Sequence, residues 1–103
     1  MTQKLLWLVT FRDDPFMLDI RKERGDDHLD YLETNKQVIL LAGGLRYAED
    51  RPFVGGAWVV SAANEEEVRK LIENDPYYCP EHRHFDICYW GLALDHMNEV
   101  LQL

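Results

Sequence analysis

The chain has 103 residues, enough for one domain around one core, and 47% of them are hydrophobic, which excludes a disordered chain. Eleven basic side chains against nineteen acidic ones leave a formal net charge of −8 at pH 7. Such a surface repels phosphate backbones and anionic lipid, so general nucleic-acid binding and attachment to an acidic membrane are excluded.

No apolar run approaches a membrane span. Leu5 to Val9, behind Met-Thr-Gln-Lys, is too short for a signal peptide, and no small-residue cleavage site follows. Cys79 and Cys88 make no disulfide framework. Both are expected to be reduced, in a cytoplasmic protein.

Lys4 to Arg12 is apolar without alternation and rich in strand formers, which predicts a strand buried on both faces. Asp14 can cap a helix whose first position is Pro15 and which runs to about Thr34. Gly25 interrupts it, as a kink, a close approach or a division into two shorter helices. At 100° per residue, Met17, Arg24, His28, Tyr31 and Leu32 share one sector with Ile20 at its edge, the side expected to face a sheet. An imidazole thus sits on a buried stripe. One reading is a core histidine satisfied by the backbone; the other is a site residue with a carboxylate partner.

Val38 to Ala42 predicts a short strand ended by a tight turn at Gly43-Gly44. Leu45 to Pro52 reads as a loop, and Phe53 to Ala62 as a strand whose Gly55-Gly56 suggests a bulge or close approach. The second helix starts at Asn64, with Glu67 completing a capping box, Glu65 to Glu67 complementing the dipole, and pairs Glu65–Arg69 and Glu66–Lys70. Asp75-Pro76 stops it. Tyr77 to Glu81 connects to a strand over His84 to Leu94, and Asp95 to Leu103 forms an amphipathic tail.

The order βαββαβ with right-handed crossovers gives an α+β, ferredoxin-like single domain over 1–103: a four-stranded antiparallel sheet with two helices on one face. The other face stays apolar, and the simplest cover is a second copy, so a homodimer is expected.

Arg-x-x-x-His-Leu-x-Tyr-Leu at 24–32, Leu-Leu-Ala-Gly at 40–43, Asp-Pro-Tyr at 75–77 and His-Phe-Asp-Ile at 84–87 together resemble the YCII-related (YciI-like) proteins over nearly the whole chain. Gly44 stands where many relatives have proline, and Arg24 precedes His28 by four residues where three looks commoner. The resemblance implies a ferredoxin-like fold paired as a dimeric α+β barrel, with a His–Asp dyad in a cleft. Its relatives in fold include muconolactone isomerase-type proteins, and at least one family member is similar to a dehydrochlorinase of chlorinated hydroxyquinol breakdown. Carried over, the dyad is His28 and Asp75.

A carboxylate bound to one imidazole nitrogen fixes the tautomer and makes the other a base near neutral pH. No nucleophile motif stands beside it, so the pair suits proton abstraction, as in a lyase or isomerase acting on cyclic or aromatic compounds, better than acyl transfer. A non-catalytic small-molecule binding or accessory protein using the same cleft is the alternative. Arg24 could bind an anionic group of the substrate, Tyr77 would wall the cleft, and Gly43 would leave room beside it. Cys79, His82 and His84 are the nearest approach to a metal cluster but lack a paired-cysteine motif. Gly43-Gly44 lacks the context of a dinucleotide site. Neither metal nor cofactor is expected.

Overall fold

The structure is a computed structural model that describes residues 5–101. Lys4 and Leu103, the outer ends of the expected first strand and tail, lie outside the described residues.

The elements run β1 (Leu5–Asp13), α1 (Met17–Thr34), β2 (Ile39–Leu45), β3 (Gly55–Ala62), α2 (Glu65–Glu73) and β4 (Arg83–Tyr89), followed by a 3₁₀ segment over Asp95–Leu101. The sheet order is β2-β3-β1-β4, with every neighbouring pair antiparallel. This is the ferredoxin-like arrangement. Among the described residues no helix is long and apolar enough to cross a membrane.

Pleating sends alternate residues of β1 and β3 to opposite faces. Val9 and Phe11 of β1 and Trp58, Val60 and Ala62 of β3 form one side of the core, closed by Val68 and Ile72 of α2 and by Ile39. Phe11 meets Trp58 edge to face at 5.1 Å. The opposite face is only partly covered within one chain. Leu6 and Val59 are buried, but Leu41 and Leu45 are exposed, and Arg12 and Asp86 lie there 3.9 Å apart.

Boundaries differ from expectation for identifiable reasons. Asp14 Oδ1 accepts the Phe16 N–H at 2.9 Å, yet the first turn is held by i→i+3 bonds from Leu18 to Pro15 and Asp19 to Phe16. The α-helix proper therefore starts at Met17. It passes Gly25 without a break, and a Cβ there would meet Tyr77 Oη at 3.4 Å, an ordinary van der Waals contact.

Strand β2 does not end at Gly43-Gly44 but continues to Leu45, with Gly44 opposite Gly56. A Cβ on Gly44 would meet the Phe53 ring at 2.6 Å. Gly44 therefore admits the Phe53 ring, and the pair lies within the strand and does not form the expected tight turn. Asn64 Oδ1 accepts the Glu67 N–H at 2.9 Å, but the returning Glu67 carboxylate accepts the N–H of Ala63, one residue before the cap.

Strand β4 includes Arg83 and stops at Tyr89, short of Leu94; the Trp90 N–H closes the ladder on Leu6 O. The tail from Asp95 to Leu101 is 3₁₀ and buries none of its residues.

Gly55 is the tightest point of the sheet, because a Cβ there would stand 2.0 Å from the backbone oxygen of Phe11, whereas one on Gly43 would meet nothing within 4 Å. Urea unfolding should show Gly55→Ala losing at least about 2 kcal/mol, as overpacked sites do. Gly43→Ala should stay within about 0.5 kcal/mol of the parent. Equal stability of the two variants would contradict this packing.

Candidate functional site

The site forms where one stripe of α1 meets the exit of α2. The last carbonyls of a helix lack intrahelical donors and must find others. Tyr31 Oη donates to Leu71 O at 2.6 Å, and Arg24 Nη1 donates to Pro76 O at 3.3 Å. Between them on the same stripe, His28 Nδ1 donates to Asp75 Oδ1 at 2.6 Å.

Pro76 ends the helical path and turns the Asp75 side chain inward, where it is 2% exposed. The same Oδ1 accepts the Tyr77 N–H at 3.1 Å. Capping the turn and holding the imidazole are thus one arrangement, not competing ones. The Tyr77 ring stacks on the His28 ring at 3.8 Å and 8°. With Nδ1 occupied, Nε2 is the free nitrogen; it makes no hydrogen bond among the described residues and is not sealed from solvent.

His28 lines a cleft of about 150 Å³ together with Leu29, Leu32, Trp58, Tyr77 and the backbone of Ala42 to Gly44. Two arginines that sequence reasoning missed complete it: Arg21 and Arg83. Asp13, at the end of β1 with a side chain only 1% exposed, takes Arg83 Nε at 2.9 Å and Arg21 Nη2 at 3.4 Å. Arg21 Nη2 also donates to Gly55 O at 2.9 Å. Burial pulls the Arg83 guanidinium below its usual range and the Asp13 carboxylate opposes that; an arginine remains charged all the same. Burial raises the Tyr77 phenol, and the two guanidiniums only partly oppose the rise.

Signals for both arginines were present. Arg21 is two turns before His28 and falls within its sector at 100° per residue. Arg83 lies one residue before the expected start of β4, on the inward register with Phe85.

Of the residues singled out from sequence, His28 and Asp75 are brought together, and Tyr77 and Gly43 border the cleft. Arg24 does not: it is not among the cleft-lining side chains and is engaged by the Pro76 carbonyl. His82 Nδ1 donates to Asp14 Oδ2 at 2.8 Å. Cys79, His82 and His84 do not converge, and no group of three metal-ligating side chains occurs among the described residues. Trp58 is core and cleft wall at once, whereas Trp7 donates to Ala62 O.

A ferredoxin-like sheet carrying an imidazole–carboxylate pair between its two helices, beside a small cleft, defines a class of small α+β proteins. Within that class the chain belongs to the YCII-related domain family, whose model matches residues 5–90. It is 35% identical over 88 residues to the derivative of benzaldehyde biosynthesis cluster protein C of Emericella nidulans, covering 75% of this chain and 87% of that one. It is also similar to the solved structure of 5-chloro-2-hydroxyhydroquinone dehydrochlorinase (TftG) from Burkholderia phenoliruptrix AC1100 in complex with 2,5-dihydroxybenzoquinone. The TM-score is 0.73 at 26% identity, over 84% of this chain and 94% of that one.

Burial, with the Asp75 charge second, raises the Tyr31 phenol to about 12 from the ordinary 10. A raised folded-state value contributes stability that is full below pH 10 and is lost as pH climbs toward about 12, because the unfolded chain ionises first. Tyr31→Phe should cost about 1 kcal/mol at neutral pH through the lost bond to Leu71 O. In unfolding series across pH 10 to about 12, its deficit should shrink as the parent loses this advantage. Parallel curves would remove the Tyr31 contribution.

Proposed function

We propose that this protein is a small lyase or isomerase of cyclic or aromatic compounds, in which His28 is the general base and Asp75 its orienting partner. The observation that carries the reading is the 2.6 Å bond from His28 Nδ1 to a buried carboxylate, with Nε2 left free beside a cleft. An ionised carboxylate is only an acceptor, so it selects the tautomer with the proton on Nδ1 and the lone pair on Nε2. Tyr77, stacked on the ring, restrains its rotation; Gly43 keeps the mouth of the cleft free of a side chain. Arg24 supports the turn that carries Asp75 by way of Pro76. TftG, named as a dehydrochlorinase, lends the elimination reading its support.

In that chemistry Nε2 takes a proton from a ring carbon, and the C–H bonding pair forms a new double bond. In an elimination a leaving group departs with its own pair. In an isomerisation the pair passes through an adjacent carbonyl, and a proton returns at another carbon.

With a substrate found by screening cyclic, hydroxylated and chlorinated acids, His28→Ala should lose about 10²–10⁴-fold in turnover while largely keeping affinity. Asp75→Asn should also be slow, since an amide can offer Nδ1 a donor and so favour the wrong tautomer. Full turnover in His28→Ala would end the dyad reading. An affinity change in a protein with no turnover of any screened compound would leave a binding module in its place.

The half-covered sheet face, with Leu41 and Leu45 exposed beside Leu8 and Val59, supports a homodimer packed sheet to sheet. Light scattering at low micromolar concentration should return about twice the chain mass of 12.2 kDa. A monomer would refute the pairing.

A further inference from the structure

Resting on the proton-transfer reading of His28, we infer that Arg21 and Arg83 form an oxyanion subsite in the same cleft, and that the substrate is a single ring bearing an ionised oxygen. A guanidinium carries five N–H groups and no acceptor. Their bonded acceptors are one carboxylate, Asp13, and one backbone carbonyl, Gly55 O, with the Tyr77 phenol oxygen a further, looser partner of Arg21.

Arg83 spends its Nε on Asp13 and leaves both terminal nitrogens without an acceptor among the described residues. Arg21 spends Nη2 and leaves Nη1. Its Nε is sealed and unpartnered. The terminal nitrogens without acceptors are not sealed, and both side chains line the cleft. Asp75 is the second carboxylate whose charge reaches Arg83, but its Oδ1 is taken by His28 Nδ1 and the Tyr77 N–H, and it makes no hydrogen bond to either guanidinium among the described residues.

Position relative to the base supports the assignment. The Tyr77 ring, stacked at 3.8 Å on His28, has the Arg21 guanidinium 5.4 Å and the Arg83 guanidinium 5.5 Å from its centre. Base and cations therefore border the same aromatic ring and line the same cleft. The cleft volume of about 150 Å³ is about that of a cavity known to hold one benzene ring. When Nε2 removes a ring proton, negative charge grows on an oxygen conjugated with that carbon. Fixed guanidiniums facing that oxygen lower the barrier without reorganising.

The arginines are held for this role. Gly44 and Gly56 lack the Cβ atoms that would stand 3.3 Å from Arg21 Nη1 and 2.9 Å from Arg83 Nη2. Phe53 packs under the Arg21 guanidinium at 4.5 Å. Asp13 is a positioning residue: it orients both forks and need not touch the substrate.

The test is calorimetric titration of the intact protein with two rings. One is 2,5-dihydroxybenzoquinone, whose hydroxyls ionise in neutral solution; the other is its uncharged dimethyl ether, 2,5-dimethoxybenzoquinone. The parent should bind the ionised ring at least about 10-fold tighter, with affinity falling as salt rises. Arg21→Gln should bring the two affinities within about threefold, and His28→Asn should keep the preference. Arg83→Gln should act like Arg21→Gln; should it fail to fold, Arg21→Gln and Arg21→Lys decide, the lysine restoring charge but not the fork.

No binding of the ionised ring by the parent, equal affinity for the two rings, or an unchanged preference in Arg21→Gln overturns the subsite. Loss of the preference in His28→Asn but not in Arg21→Gln moves the anion to the imidazole and overturns it too. The proton-transfer reading fails separately, on undiminished turnover by His28→Ala.

Discussion

A buried carboxylate is costly unless it is paired, and Asp13, 1% exposed at the end of β1, has two guanidinium partners. Arg83 comes from the first residue of β4, Arg21 from the second turn of α1, and Gly55, which shares Arg21, from the start of β3. One buried charge thus ties four elements together at one end of the sheet. Such a cluster is weak evidence for net stability, because desolvation offsets much of the attraction. Its effect is on geometry, since removing one partner would strand a buried charge, at a cost of about 3–5 kcal/mol. The glycines follow from it. Gly44 and Gly56 are places where a methyl group would push against the guanidiniums or Phe53.

The second fixed relation is between α1 and the exit of α2. Arg24, His28 and Tyr31 supply donors to Pro76 O, Asp75 Oδ1 and Leu71 O. The contact to Leu71 O is ordinary satisfaction of a helix-end carbonyl, and the one to Pro76 O secures the turn that follows the helix. The middle one has the same structural character but places an imidazole against a buried carboxylate. The dyad is therefore held by interactions that the fold needs anyway. It stands on two helices and is braced by an aromatic plate, the kind of support that keeps a reactive geometry within tenths of an ångström.

How much of this was legible depended on period. The βαββαβ order, the Asn64 cap, the stop at Pro76 and the inward face of α1 are local signals with fixed spacing, and each could be read from residue types. The nearness of residues 28 and 75 followed from topology and from the resemblance, since nothing local joins them. What failed was edges and glycines. β2 reads as ending at Gly43-Gly44 because two glycines resemble a turn; the Phe53 ring that accounts for Gly44 comes from outside the strand. Arg83 was lost by starting β4 one residue late, and Arg21 because a charged residue on an apolar stripe invites being read as solvent-facing. Arg24 was singled out for its spacing to His28, yet the Pro76 carbonyl, invisible to a wheel, engages it.

A chain with a net charge of −8 is an awkward host for an anion at long range. At physiological ionic strength, though, fields from exposed charges fade over about 8 Å. Attraction for an ionised ring must then arise inside the cleft, where the buried Trp58 wall lowers the effective dielectric relative to water. There a guanidinium whose terminal nitrogens have no protein acceptor gains most from an oxygen, and an uncharged ring of the same outline gains least. On the proposed reading, selection by charge and the supply of a base are properties of one small volume. The acidic exterior adds no steering toward it, so discrimination rests on contact with Arg21, Arg83 and His28 and not on the rate of encounter.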